Sequence, residues 1–313
     1  MKTPKITVCI PAYNAQAYLA PCLNSLSMQT FKNFRIEFVD DASTDNTLRI
    51  IKKFCKSTDI KCDVHVHKTN SGSMGLGVQE SLNRCKSPFF MWMAADDEID
   101  PTYLEELSTI LELNKDFDYV YTDTTLINEQ SVPVDKWIYP TVTYNSLLAH
   151  VLKTQSGILP MVGMFRTSFF QENKIQFELP RGEGFSSDTL NSLHFMEKGM
   201  SAYKLSKPLF KYRKHMSQGS KDAQKRILSD LKVLTHIFLD HTKGLSELDS
   251  VSLDTFLKYV KTSTRNNSKR FTLKEKELFA ILDSEEYQAT LKSGCNEILM
   301  LLIEAQKSQI SKL

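Results

Sequence analysis

The chain has 313 residues, of which 41% are hydrophobic and 24% charged, an ordinary balance for a globular protein. That composition excludes disordered, collagenous and low-complexity classes, and the length suits one catalytic domain with an appendage. Lys and Arg number 39 against 37 Asp and Glu, a formal charge of +2, so a dedicated nucleic-acid binder, which needs a broad basic field, is disfavoured.

Ile6–Tyr13 is a β-rich apolar run, followed by Leu19, Cys22, Leu23 and Leu26 at helical spacing. Phe34–Val39 reads as the second strand and ends in Asp40-Asp41. Ser43 or Asp45 can cap the next helix, which carries Leu48, Ile51 and Phe54-Cys55 on one side. Cys62–His67 alternates as a third strand. After the loop Lys68–Ser73, a helix is predicted around Gly75–Cys85, then a buried strand at Pro88–Ala94. Asp100-Pro101 supplies a cap and first-turn proline for another helix, and Phe117–Thr122 is a further strand. From Gln130 to about Ser220 the elements shorten; Ser187–Gly199 reads as a helix closed by Gly199, before a strand at Ser201–Leu205. Beyond Lys221 only helical periodicity remains.

A β-α-β-α-β order requires crossovers, so a doubly wound, mainly parallel sheet with helices on both faces is expected. An all-helical appendage would follow over 221–313. Ligands of such sheets bind outside the carboxyl ends of the strands. This selects Pro11–Asn14, Asp40–Asp45, Lys68–Gly75 and Ala95–Glu98 before any motif is named.

The six cysteines (Cys9, Cys22, Cys55, Cys62, Cys85 and Cys295) form no C-x-x-C pair and mostly lie in apolar runs. They read as reduced, buried thiols of a cytoplasmic protein. No signal peptide is expected, and no apolar stretch approaches the ~18 residues of a membrane span. Peripheral contact with a membrane stays open.

Each strand end carries its own chemistry. Neither G-x-G-x-x-G nor a P-loop follows the first strand. Tyr13 can stack on a nucleobase, although packing is the commoner role of a lone aromatic. Asp40-Asp41 cluster two carboxylates, which a ribose, a base N–H or a metal would justify. Asn70–Gly77 is a glycine-containing loop entering a helix, able to turn N–H groups to phosphates or to serve as a plain turn. Asp96-Asp97-Glu98 are hard oxygen donors suited to Mg²⁺ or Mn²⁺ on a diphosphate, with a solvated loop as the alternative. His65 and His67 share a strand face, in keeping with packing or solvent. Trp92 reads as core, and Trp137 as a candidate sugar platform.

Taken together these motifs resemble the family 2 glycosyltransferases, which have the GT-A type of nucleotide-sugar-binding fold. The resemblance rests on Ile6–Asn14, Leu23-x-Ser25-Leu26-x-x-Gln29-Thr30, Asp40-Asp41-x-Ser43-Thr44-Asp45-x-Thr47, Asn70, Gly75, Asn83 and Asp96-Asp97. It is dense over the first hundred residues and thins towards Ser220. It implies a catalytic domain over 1–220, with a donor-binding half at about 1–123 and an acceptor side at about 124–220. Pro11, Ala12, Tyr13, Asn14, Asp40, Asp41, Asn70, Gly75 and Asp96 would hold the donor, with Tyr13 stacking on the base and Asp41 accepting from it. Asp96, Asp97 and His215 would bind Mn²⁺ or Mg²⁺, and Arg213 would hold phosphate oxygens. Asp188, in Phe185-Ser186-Ser187-Asp188, corresponds to the catalytic base, with Glu183 as the fallback. Ala94 stands where the family often has an acid, and Ser187 replaces the first of an acidic pair.

The implied activity is inverting transfer from a nucleoside diphosphate sugar, a UDP-sugar by preference, to a glycan or lipid-linked glycan acceptor in bacterial surface polysaccharide synthesis. The Ala94 and Ser187 departures motivate an alternative, a nucleotide-sugar-binding scaffold whose catalysis has decayed. The helical region could serve homodimer contacts, or docking at the inner face of the plasma membrane.

Overall fold

A computed structural model of the chain describes residues 3–139, 141, 160–175, 177, 191–192, 195, 198–216 and 218. The helical region expected over 221–313, Asp188, Glu183 and the start of the helix expected at Ser187 lie outside these residues. All but Gln218 belong to one compact unit.

In chain order the elements are β1 (Ile6–Ala12), α1 (Leu19–Ser27), β2 (Phe34–Asp40), α2 (Thr47–Ser57), β3 (Lys61–Val66), α3 (Met74–Arg84), β4 (Phe89–Trp92), β5 (Glu98–Ile99), α4 (Tyr103–Leu113), β6 (Tyr119–Ile127), β7 (Pro133–Trp137), β8 (Gly163–Arg166), α5 (Thr167–Glu172) and β9 (Ala202–Arg213). The sheet runs β3-β2-β1-β4-β8-β6-β9-β5, with β7 paired to β6. Its first four strands are parallel, as the alternating pattern predicts. Beyond β4 the sheet becomes mixed. β8 is antiparallel to β4 and β6, β9 is parallel to β6, and β5 is antiparallel to β9.

The two faces of β1 follow the period of two. Ile6, Val8, Ile10 and Ala12 join Ile36, Phe38, Met91 and Met93 in a core covered by Leu19, Cys22, Leu23 and Leu26 of α1, Ile51 of α2 and Leu104, Leu107 and Leu111 of α4. Each Val, Leu, Ile, Phe or Met side chain among them contributes about 1.5–3 kcal/mol on burial. The odd positions face α3. Cys9 lies against Gly77, with Sγ 3.9 Å from its carbonyl, and Thr7 Oγ1 donates to Ser87 Oγ at 2.9 Å. Helices thus pack on both faces. Trp92 stacks on Phe165 with centroids 5.1 Å apart and meets Phe177 edge-on, so it is core.

Two glycines are set by close approach. A Cβ on Gly77 would stand 3.1 Å from Val39 and 3.5 Å from Pro11, so α3 rests directly on the ends of β1 and β2. A Cβ on Gly163 would stand 2.3 Å from the Val120 carbonyl oxygen. Among the described residues no helix is long and apolar enough to cross a membrane.

Candidate active site

The carboxyl ends of β1, β2 and β4 lie at one edge of the sheet, because Ala12 pairs with Asp40 and Met93 N donates to the Cys9 carbonyl. Pro11 and Ala12 are buried there, whereas Tyr13 is 51% exposed. Asn14 follows with φ of 47°, a left-handed conformation that Asn tolerates. Its N–H donates to Ser43 Oγ at 3.0 Å, and its Oδ1 accepts from Thr44 N at 2.9 Å. Ala15 N donates to Thr47 Oγ1 at 2.7 Å, and Gln16 N to Asp45 Oδ2 at 3.1 Å. The β1–α1 loop is thereby laced to the β2–α2 loop.

Asp45 is the hinge of that lacing. Burial alone would raise its pKa, but hydrogen bonds from Thr47 and Gln16 outweigh burial and hold it below the ordinary carboxylate value. Helix α2 itself starts at Thr47, with Asn46 as N-cap, rather than immediately after Ser43 or Asp45. Asp45 Oδ1 accepts from Thr47 N at 2.8 Å and does the work expected of a cap from one residue further back.

Asp40 and Asp41 part company. Asp40 is buried; its Oδ2 accepts from Ser43 N at 3.2 Å, and its Oδ1 has no partner among the described residues. Asp41 stays partly open and is gripped by the following loop. Its Oδ1 accepts from Ser71 N at 2.9 Å, and its Oδ2 from Ser71 Oγ at 3.0 Å. Asn70 Nδ2 donates to the Asp41 carbonyl at 3.2 Å, while Asn70 Oδ1 accepts from Gly72 N at 2.8 Å. Gly72 has φ of +72°, which glycine adopts without strain. Gly75 is buried in the first turn of α3. The loop thus organises Asp41, and Asp41 keeps a lone pair on Oδ2 for an N–H donor.

His67 is the residue that sequence reasoning passed over. It follows β3 at the same sheet edge. Its Nδ1 is 2.7 Å from Asp41 Oδ1, and its Nε2 is 3.0 Å from Glu80 Oε2. The packing or solvent role expected of it is therefore corrected. The available signal was its place at a strand's carboxyl end; its face within the strand gave the wrong answer.

The acidic turn after β4 is closed by the end of β9. Asp97 is 4% exposed, and its Oδ1 accepts from Arg213 N at 2.9 Å. Burial pushes its carboxyl well above the usual range, and the charge of Asp96 pushes it further. The Arg213 backbone N–H and guanidinium oppose this without prevailing. Asp96 Oδ2 lies 2.8 Å from His215 Nε2, and the His215 ring packs on Tyr18 with centroids 4.4 Å apart.

Arg213 does not face a phosphate site, contrary to the expectation for it. It is fully buried. Its Nε donates to the Asp96 carbonyl at 2.7 Å, and its Nη1 to the carbonyls of Asn128 at 2.8 Å and Glu129 at 3.2 Å. Its Nη2 pairs with Glu98 Oε1 and donates to Ser131 Oγ at 3.0 Å. Every guanidinium N–H is thus engaged inside the protein, leaving none for a diphosphate. Arg213 holds the acidic turn in shape. Glu98, read from the sequence as a third hard donor for a metal, is instead taken up by this clamp, and Ser131, which sequence reasoning did not single out, completes it.

Among the described residues no three His, Cys, Asp or Glu side chains form a ready metal cage. Asp96 and His215 are adjacent and Asp97 is beside them. This donor set suits a Mg²⁺- or Mn²⁺-type ion that takes its other ligands from phosphate and water. A cation there would also relieve the repulsion that raises the Asp97 pKa.

Across β6, Trp137 of β7 lies beside Tyr212 of β9, with centroids 5.1 Å apart, and Lys214 Nζ sits 5.5 Å over the Trp137 ring. Lys204 pairs with Asp123 at 2.9 Å, both almost buried.

Comparison with known proteins places these features in context. The family model described as Glycosyl transferase family 2 matches residues 7–177. The poly(ribitol-phosphate) beta-N-acetylglucosaminyltransferase TarS of Staphylococcus aureus is 29% identical over 178 residues, 55% of this chain but only 29% of TarS. The putative glycosyltransferase EpsE of Bacillus subtilis is 27% identical over 210 residues, 67% of this chain and 73% of EpsE. A crystal structure of S. aureus TarS 1-349 in complex with UDP-GlcNAc superimposes with a TM-score of 0.63 at 21% identity, covering 98% of this chain and 88% of that one. The mannosyltransferase PcManGT of Pyrobaculum calidifontis, in complex with GDP-Man and Mn²⁺, gives a TM-score of 0.56 at 13% identity, covering 99% of this chain and 85% of that one.

Proposed function

The chain belongs to glycosyl transferase family 2, it has the GT-A fold of TarS, and from that premise we propose that it transfers a sugar from a UDP-sugar to a glycan or lipid-linked glycan, with inversion. The observation that carries this reading is the placing of Asp41 and the Asp96–His215 pair at the same sheet edge. One carboxylate is poised for a nucleobase and an acid–imidazole pair for the diphosphate, as a nucleotide sugar requires.

In this reading Tyr13, exposed beside Asp41, stacks on the base. Pro11, Ala12 and the buried Asp40 form the floor. Asn14, Asn70 and Gly75 shape the loops around the donor, and Asp96 reaches towards ribose and metal. Asp96 and His215, with Asp97 behind them, hold a divalent ion, Mn²⁺ or Mg²⁺. Such an ion neutralises the charge that develops on the leaving diphosphate. The Mn²⁺ in the PcManGT structure supports this choice.

Asp188 is the proposed base. The acceptor hydroxyl oxygen attacks the anomeric carbon, the bond to the diphosphate oxygen breaks, and the hydroxyl proton passes to the Asp188 carboxylate. One displacement inverts the centre. Trp137 and Tyr212 offer a platform for an acceptor sugar. The poly(ribitol-phosphate) acceptor in the name of TarS supports a polymer acceptor, which we take to be a bacterial surface polysaccharide. That would place the protein at the cytoplasmic side, with peripheral membrane contact and pairing through 221–313 as further proposals.

Asp188→Asn tests the mechanism. Transfer should fall about 10²–10⁴-fold while donor binding, followed by calorimetry, persists. Transfer at the native rate by this variant would remove Asp188 from the role. Donor binding without turnover in the native chain would favour the decayed scaffold.

A further inference from the structure

The contacts of His67 go beyond the base-binding reading of Asp41, on which the following rests. Both ring nitrogens of His67 meet carboxylate oxygens, Asp41 at 2.7 Å and Glu80 at 3.0 Å. A carboxylate offers no proton at neutral pH, so each nitrogen must donate. Only the imidazolium can do both. We propose that His67 is a positioning residue for donor binding: as an imidazolium clamped between Asp41 and Glu80, it fixes the Asp41 carboxylate for the nucleobase and makes nucleotide affinity fall as pH rises.

The surroundings support the cation. The charged groups facing His67 are Asp41 from the end of β2 and Glu80 from α3. Arg84 stands behind Glu80, with Nη1 at 3.9 Å. Arg84 also engages the buried Glu37, which pairs with Arg35 at 3.7 Å and lies 3.3 Å from His65. In this ladder of alternating charges, Asp41, Glu80 and Glu37 are acids, and His67, Arg84 and Arg35 are bases. A neutral His67 would leave the first two acids short of one donor. Burial disfavours the charged ring, yet the bonds to Glu80 and Asp41 prevail and lift its pKa above the ordinary 6.5. The clamp also fixes the orientation of Asp41 at a partly open edge. Its Oδ1 is shared by His67 and Ser71 N, and its Oδ2, held by Ser71 Oγ, keeps a lone pair for a ligand donor.

Isothermal titration of the full chain with UDP, from about pH 6.5 to about pH 8.5, reads the effect across the range where a histidine titrates. The native chain should lose about tenfold in affinity across this range, as a charge-assisted hydrogen bond is lost. His67→Gln should bind more weakly and without this dependence. The titration of UDP itself is common to both proteins, so the ratio of the two curves is read. Glu80→Gln removes one of the two carboxylates and should move the native midpoint to lower pH, which a merely structural histidine would not do. Thermal melts at each pH separate unfolding from weak binding. Native pH dependence retained in His67→Gln, or an unmoved midpoint in Glu80→Gln, would overturn the proposal and leave the base-binding reading standing. Absence of UDP binding to the native chain at every pH would instead remove the base-binding reading, and this proposal with it.

Discussion

Arg213 has five N–H groups, and each has an oxygen inside the protein. A cation near an acidic motif suits a phosphate or the motif itself, and the sequence cannot separate the two; burial decides for the motif. The planar fork is essential to the clamp, so Arg213→Lys is a sharper test than removal of the charge. This variant should lose about 3–5 kcal/mol in urea unfolding, as when a buried pair is broken. Unchanged stability would contradict the clamp. Asp45 gives the pH counterpart. Its native pKa lies below the ordinary 3.8, so its contribution is present above that value and lost as pH falls through the native one. Asp45→Asn should cost about 1 kcal/mol at neutral pH, and thermal melts should show this difference closing in acid. A constant difference down to the acid limit would rule out the charged carboxylate as its source.

Among elements, the parallel half was legible because β1, β2 and β4 are buried on both faces, while β3 at the sheet edge showed itself by alternation. Strands buried on both faces read as unbroken apolar runs separated by amphipathic helices. The second half hides for physical reasons. β5 has two residues and β8 four, too few for any period to register. β7 is exposed throughout and begins at Pro133, as an edge strand can. β9 runs from Ala202 to Arg213, well past the expected Ser201–Leu205, because polar residues interrupt its apolar positions. Its pairing with β6 requires a register shift between Thr122 and Thr124 that no pattern announces. The β6–β8 seam depends on Gly163. Gly163→Ala would push a methyl group into the Val120 carbonyl and the Tyr119 ring, costing about 1–3 kcal/mol or more by overpacking. A variant melting with the native chain would show that this seam yields more easily than its geometry implies.

At the scale of the molecule, the nearly neutral charge of +2 suits a protein that meets a diphosphate through a bound cation. The proposed donor side was suggested by motifs at strand ends, and the sheet topology brings Asp41 and Asp96 to one edge. What escaped were the partners that shape those acids: His67 and Ser131 lie far from them in sequence, and only the folded chain joins them. The central claim is metal-assisted transfer from a UDP-sugar, and release of UDP from a panel of UDP-sugars, with and without Mn²⁺, tests it most directly. The account predicts release from at least one donor with Mn²⁺, and a fall of at least about tenfold after chelation or in Asp96→Asn. No release from any donor, or release indifferent to both the metal and Asp96, would contradict it.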